Sequence, residues 1–424
     1  MTYVNAVKYL KAHTTGVPSP ERMKLLCRYL GDPQRQMRFV HLAGSSGKTS
    51  CAIMLSTVLV ECGYKIGRLT SPYTKEYREM ISIDESILSH KEFADNVSKV
   101  VDAAKKMTAD IEAAASLQGM ADAEPTSHPK ITKNLLDGKI SPTPIASEII
   151  CAAAFLAFRK NDCNIAVLEC GESRADPTSI IDPPLVSVIC GSSFTDEQLR
   201  TSTGIIRKGT REVVSAAPAG IAYSTILDTC VKSGSRLTVP AHGELKINKA
   251  SLGGKSFEYR GKSYSVPFCS SYQLLNALTT IETVYALRRT GVALHSQDVA
   301  SGIASARIPL RFEVISAAPA IILDCAKTES DLVTFVNSLV EVERFIEKNI
   351  ILVTAQDNKQ ISTEIFEQHG FSVISTLYCA GESEHKRIAA RATSLSANEI
   401  MIILGTPNFV SDIKTAILRY FSYR

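Results

Sequence analysis

Residues 37–73 read MRFVHLAGSSGKTSCAIMLSTVLVECGYKIGRLTSPY. An apolar run (Phe39, Val40, Leu42, Ala43) ends in Gly44-Ser45-Ser46-Gly47-Lys48-Thr49-Ser50. A helical period carrying Ile53, Leu55, Val58 and Leu59 follows. Strand, glycine loop and helix N-terminus together make an anion site. Glycines let backbone N–H groups approach phosphate oxygens, the helix dipole favours negative charge, and a lysine adds a point charge. The hydroxyl after that lysine, Thr49, is placed to meet Mg²⁺. The first glycine stands closer to the lysine than in G-x-x-x-x-G-K-[ST]. At ordinary glycine usage of about 7%, the shorter G-x-x-G-K-[ST] arises by chance in on the order of one chain in a hundred of this length. The segment reads as a nucleoside-triphosphate site.

Working outward, 424 residues exceed one ordinary core and favour two domains. Short β-rich runs at 38–43, 66–70, 165–169 and 185–190 alternate with helical periods at 48–62 and 145–159. That alternation predicts an α/β fold with a largely parallel sheet. Residues 109–144 are polar, broken by prolines and weakly periodic, and read as a mobile excursion with room for one helix. Residues 238–268 change to short β pieces, which suggest an antiparallel patch at the edge of the first domain. A long helix at 272–289 follows. Glycine, proline and small residues at 301–310 then suggest a hinge. Beyond it, strands at 320–324, 350–354 and 400–404 and a helix at 331–346 predict a second, smaller Rossmann-like domain over 311–424, after a P-loop-type ATPase domain over 1–300.

Composition excludes several classes. A net charge of +4 is small for this length and gives no nucleic-acid footprint. No apolar run reaches the roughly 18 residues a spanning helix needs. Eleven cysteines lie scattered without C-x-x-C pairs, mostly in apolar runs, as small core residues of a reducing compartment. The cytoplasm is the expected location.

Three further residues stand at predicted strand ends, where open parallel sheets hold their ligands. Glu169 follows the run AVL. Mg²⁺ takes hard oxygen ligands and keeps several waters, so one carboxylate with hydroxyls and phosphates suffices. Ser71 closes the second strand on the same edge, although Ser-Pro by itself marks a turn. Asp324 ends AIILD and could hold a ribose hydroxyl or a substrate amine, or cap the next helix. Lys48 would offset charge on the β/γ-phosphates and on the transition state of phosphoryl transfer.

In order along the chain, several blocks resemble the folylpolyglutamate synthase/dihydrofolate synthase branch of the Mur ligases. Gly44 to Ser50 is similar to that family's G-T-N-G-K-G-S, and Thr70-Ser71-Pro72-Tyr73…Arg78-Glu79-Met80-Ile81 to its T-S-P-H…x-E-R-I. Glu148 with CAAAFLAF resembles F-E-x-x-T-x-x-A-F. Glu169-Cys170-Gly171 with Arg174 and Asp176 resembles E-V-G-x-G-G-R-x-D-A-T-N. Gly204-Ile205-Ile206 resembles A-G-I-I-K, and Tyr272-Gln273…Asn276-Ala277 resembles H-Q-x-x-N-A. Arg307…Phe312-Glu313 resembles W-P-G-R-F-E, and Leu323-Asp324-Cys325-Ala326 stands where L-D-G-A-H-N-P is expected.

The resemblance implies an ATP-dependent amide ligase, monomeric, joining glutamate to a folate-like acid through an acyl phosphate. It implies that Gly44, Ser45, Ser46, Gly47, Lys48, Thr49 and Ser50 cradle the triphosphate. Ser71 and Glu169, with Thr49, would bind Mg²⁺. Asn276 would meet adenine, Arg311 the phosphates and Asp324 the ribose, with the second domain closing over ATP about the hinge. The departures gather around a second magnesium. The family's G-L-D-H-T histidine is missing from GSSFTDEQLRTSTGII, and the lysine of E-K-A-G-I-I aligns with Ser202. Lys208 lies further on, Tyr73 replaces the histidine of T-S-P-H, and A-H-N-P has become Ala326-Lys327-Thr328-Glu329. Asp196, Glu197 and Glu172 are the nearby oxygen donors. The sequence therefore supports a ligase acting on folate, a ligase with another acid or amine, or a nucleotide-binding partner subunit that has lost turnover.

Overall fold

A computed structural model describes residues 1–424 except 72, 74, 118–130, 172, 174, 327, 343–346, 356–360, 380 and 423–424. Pro72, Glu172, Arg174, Lys327, the middle of the 109–144 excursion and the end of the 331–346 helix thus lie outside the described residues. The chain divides into two compact units: residues 1–72, 77–240 and 279–299, and residues 73–76, 241–278 and 300–424.

The first unit is built on eight strands: β1 (Arg38–Gly44), β2 (Ile66–Leu69), β3 (Ile81–Ile83), β4 (Ser86–Ile87), β5 (Ile165–Glu169), β6 (Val186–Cys190), β7 (Glu212–Ser215) and β8 (Arg236–Thr238). Their order is β4-β3-β2-β5-β1-β6-β7-β8. All pairs from β2 to β8 are parallel, while β3 and β4 add an antiparallel edge. Every residue of β5 and β6 is buried, the pattern of a parallel sheet covered on both faces. The helix Lys48–Glu61 buries Cys51, Ala52, Met54, Leu55, Val58 and Leu59, so its apolar surface is wider than the one stripe read from sequence. The helix Ala146–Lys160 is buried along most of its length.

In the second unit a three-stranded antiparallel sheet contains β9 (Lys246–Ser251), β10 (Gly254–Tyr259) and β11 (Lys262–Val266). A second sheet contains β12 (Glu313–Ala317), β13 (Ala320–Asp324), β14 (Asn349–Ala355), β15 (Ser372–Cys379) and β16 (Glu399–Leu404), in the order β12-β13-β16-β14-β15. It is parallel except for β12. Alternate residues feed two apolar layers: Ile322, Ile350 and Leu352 one, Ile321, Leu323, Ile351 and Val353 the other.

The α/β class and the parallel sheets agree with the sequence reading, and three local features differ. The antiparallel patch belongs to the second unit, because Leu252 and Cys269 pack in one cluster with Phe312, Ile322 and Phe335. Half of the expected hinge is helical, since Ser296–Ser305 continues through Gly302 and the irregular part is 306–310. The excursion begins in a 28-residue helix, His90–Leu117, that buries Val97, Val100, Val101 and Ala104.

Candidate nucleotide site

β1 lies between β5 and β6, and its carboxyl end carries the glycine loop. Gly44 has φ of 146°, and a Cβ there would stand 2.0 Å from the carbonyl oxygen of Cys190 on β6. Only glycine permits this approach. Gly47, left-handed with φ of 76°, caps the helix Lys48–Glu61 with no side-chain acceptor for its first N–H groups. The Lys48 ammonium turns back on the loop and donates to the Gly44 carbonyl at 2.8 Å. Ser45 Oγ is buried, with no hydrogen-bond partner among the described residues. Ser46 is exposed and Ser50 buried.

The neighbouring strand supplies the carboxylate. In register, Leu42 of β1 pairs with Glu169 of β5. Glu169 is 6% exposed. Its Oε2 accepts from Thr49 Oγ1 at 2.8 Å and from the Ser71 N–H at 3.2 Å. The structure thus joins three residues separated by up to 120 positions beside the loop, Glu169 by its carboxylate, Thr49 by its hydroxyl and Ser71 by its N–H. The cradle and the orphaned serine hydroxyl fit a phosphate, and the donor set fits Mg²⁺.

Behind this group lies a network that sequence reasoning left without a role. Asp176 accepts from the N–H groups of Gly171 and Thr178, each at 2.8 Å, and from the Thr178 hydroxyl. Thr178 Oγ1 is 2.8 Å from Nε2 of His41 on β1. Because that hydroxyl donates to Asp176, it accepts from the imidazole. Burial drives the His41 pKa down to about 3, helped by the charge of Arg207, so the ring is neutral at physiological pH. Burial raises the Asp176 carboxyl against the pull of its hydrogen bonds. The one available signal was a histidine inside an apolar strand.

The expected supports for a second cation are not assembled. Ser202 is buried in the helix Asp196–Thr203, Lys208 is exposed on a turn, and Asp196 and Glu197 are exposed in that helix's first turn. No cluster of three or more His, Cys, Asp or Glu suited to a metal occurs among the described residues.

The second unit groups the remaining candidates. Asp324, at the end of β13, is 4% exposed. It does not cap the next helix, whose N-cap is Thr328. Its Oδ2 instead accepts from the Tyr272 hydroxyl at 2.6 Å and from the Phe312 N–H at 2.7 Å. Burial raises its carboxyl, opposed by the charge of Arg311 and these hydrogen bonds. Arg311 is exposed and, with Arg307, Pro309, Leu252 and Phe268, lines a cavity of about 380 Å³. Asn276 donates to Gln273 Oε1 at 3.1 Å.

No protein-family model matches the chain. It is 27% identical over 363 residues to the folylpolyglutamate synthase of Lacticaseibacillus casei, covering 81% of this chain and 77% of that one. It is 25% identical over 439 residues to the dihydrofolate synthase/folylpolyglutamate synthase of Bacillus subtilis, covering 94% of each. This chain is a divergent relative of the folylpolyglutamate synthases and dihydrofolate synthases. The fold agrees: the crystallised folylpolyglutamate synthetase from Lactobacillus casei superposes with a TM-score of 0.77 at 22% identity, covering 99% of this chain and 100% of that one. A bifunctional folylpolyglutamate synthase/dihydrofolate synthase, solved with Mn, AMPPNP and L-glutamate bound, matches with a TM-score of 0.71 at 18% identity, covering 99% and 98%. In the motifs that carry the resemblance, the chain has Gly44, Gly47, Lys48, Glu169, Asn276, Arg311 and Asp324 where the family motifs expect them, and Thr49, Tyr73, Ser202 and Tyr272 where those motifs have glycine, histidine, lysine and histidine.

Proposed function

We propose that this protein is an ATP- and Mg²⁺-dependent amide ligase that joins glutamate to a folate-type carboxylate. The observation that carries the reading is the convergence of Thr49 and Ser71 on Glu169 beside the glycine loop, in a chain related over nearly its whole length to folylpolyglutamate synthases. ATP with Mg²⁺ would supply the phosphoryl group that activates the acid as an acyl phosphate, leaving ADP, and attack by the amine would form the amide and expel inorganic phosphate. The residues of this chain bind and orient. Gly44, Gly47 and the helix N-terminus hold phosphate, and Ser45 supplies a buried hydroxyl. Lys48, whose ammonium lies on the loop at the Gly44 carbonyl, would supply positive charge to the phosphates. Thr49, Ser71 and Glu169 hold the cation. Asn276, Arg311 and Asp324 complete the nucleotide-binding residues of this proposal.

The cytoplasm and a monomeric state complete the proposal. All eleven cysteines are free, as a reducing compartment requires, and no described helix is long and apolar enough to cross a membrane. A second reading, a nucleotide-binding partner subunit, draws on the buried Ser202 and the exposed Lys208 where a second cation would need support. Glutamate- and folate-dependent ADP release in Mg²⁺ separates the two. Release with a folate acceptor supports the ligase, and release only with another acid would change the substrate. Tight ATP binding without release across a panel of acids and amino acids would leave the partner-subunit reading. Lys48→Ala should remove any release observed.

A further inference from the structure

Arg311 sits on an unusual piece of backbone. The residues on either side, Leu310 and Phe312, both lie in the left-handed region, at φ of 58° and 47°, without being glycine. Such residues persist only when their surroundings over-determine them. Here Leu310 is buried in one apolar layer of the second unit and Phe312 in the other, where its ring meets Phe335 at 5.1 Å. With its neighbours anchored on opposite faces, Arg311 is turned outward to the cavity wall. Two carboxylates pin the corner: Glu313 accepts the Leu310 N–H at 2.9 Å, and Asp324 accepts the Phe312 N–H at 2.7 Å.

Tyr272 is the remaining tie. Its hydroxyl donates to the same Asp324 oxygen that holds Phe312. It stands one helical turn before Asn276 on the helix Ser271–Arg289, so the two side chains share a face. Where the related family carries histidine, this chain has a phenol that reaches the buried carboxylate at 2.6 Å.

We infer that Tyr272 is a positioning residue of the nucleotide site, which through Asp324 fixes the strained 310–312 corner and so the placement of Arg311. The inference rests on the ATP-site reading above. Its test is titration of the full chain with MgATP, without acid or amine, so that binding is measured apart from turnover. Tyr272→Phe should weaken binding about tenfold, the loss of roughly one hydrogen bond to a charged group. A purely structural role would lower thermal stability and act equally in any background. A positioning role requires that in an Arg311→Ala background the same change costs less than about twofold. Tyr272→His, which keeps a ring N–H donor, should recover most of the loss. It also serves as the informative variant if the phenylalanine form does not fold, a tenfold loss in the histidine form then counting against the inference. Unchanged affinity in Tyr272→Phe, or equal losses in both backgrounds, would overturn it. Absence of ATP binding by the unaltered chain would overturn the ATP-site reading as well. Binding without turnover would refute the ligase and leave the role of Tyr272 standing.

Discussion

Replacing Glu169 by glutamine should separate binding chemistry from folding. The carboxylate Oε2 accepts two hydrogen bonds, at 2.8 Å from Thr49 and 3.2 Å from Ser71. Glutamine has the same shape, and its amide oxygen can take both. Each bond then changes from a charged to a neutral acceptor, a loss of about 1 kcal/mol apiece and about 2 kcal/mol together. For a unit of this size that is a fall in Tm of roughly 4–8 °C. The function loses far more, because Glu169 is the carboxylate on which Thr49 and Ser71 converge. Turnover should fall by about 10²–10³, the scale found when one preorganised group that stabilises developing charge is removed. Glu169→Ala leaves two half-buried donors unpaired and should cost roughly 2–6 kcal/mol in stability. The assays are substrate-dependent ADP release across a Mg²⁺ titration and thermal unfolding by circular dichroism. Turnover of the glutamine variant within about threefold of the unaltered protein would refute Glu169 as the cation ligand. A collapse in stability matching that of alanine would refute the hydrogen-bond assignment.

Three other perturbations are specific. Gly44→Ala places a Cβ 2.0 Å from the Cys190 carbonyl and demands a φ that alanine avoids. It should weaken MgATP binding by at least about tenfold, and calorimetric affinity within about twofold would count against the cradle. His41 has its folded pKa depressed to about 3 against an ordinary 6.5, so between those values the unfolded chain binds the additional proton and stability rises with pH. The contribution is fully present above pH 6.5 and shrinks by roughly 1.4 kcal/mol per unit as pH falls toward 3. Urea midpoints at pH 7 and pH 5 should therefore differ less in His41→Gln than in the unaltered protein, and equal differences would sink the assignment. Finally, Glu148 is fully buried against Arg22, which donates from Nε at 2.8 Å and from Nη2 at 2.9 Å. Glu148→Ala strands the guanidinium and should destabilise by about 3–5 kcal/mol in chemical unfolding, whereas an exposed pair would give at most about 1 kcal/mol.

Legibility followed the range of the interactions. The strands 165–169 and 320–324 matched their apolar runs because a strand covered on both faces must be apolar throughout. The loop from Gly44 to Ser50 was legible because its spacing is covalent: glycines, lysine and hydroxyl lie within one turn. The strand β12 and the long helix His90–Leu117 were missed, the first because an edge strand is only half buried, the second because its polar face and alanines dilute the period. The antiparallel patch was assigned to the wrong unit because only packing of Leu252 and Cys269 against Phe312 and Phe335 shows where it belongs.

By itself the sequence determined the strand–glycine loop–helix segment, the α/β class and the kinship with the folylpolyglutamate synthases, since each rests on residues adjacent in the chain or on motifs in fixed order. The tertiary structure decided which distant groups meet. Strand order brings Glu169 to Thr49 and Ser71, burial makes His41 neutral, and two apolar layers force a strained corner that turns Arg311 outward under the hold of Tyr272 and Asp324. These contacts depend on sheet register and on desolvation, which arise only once the chain has packed.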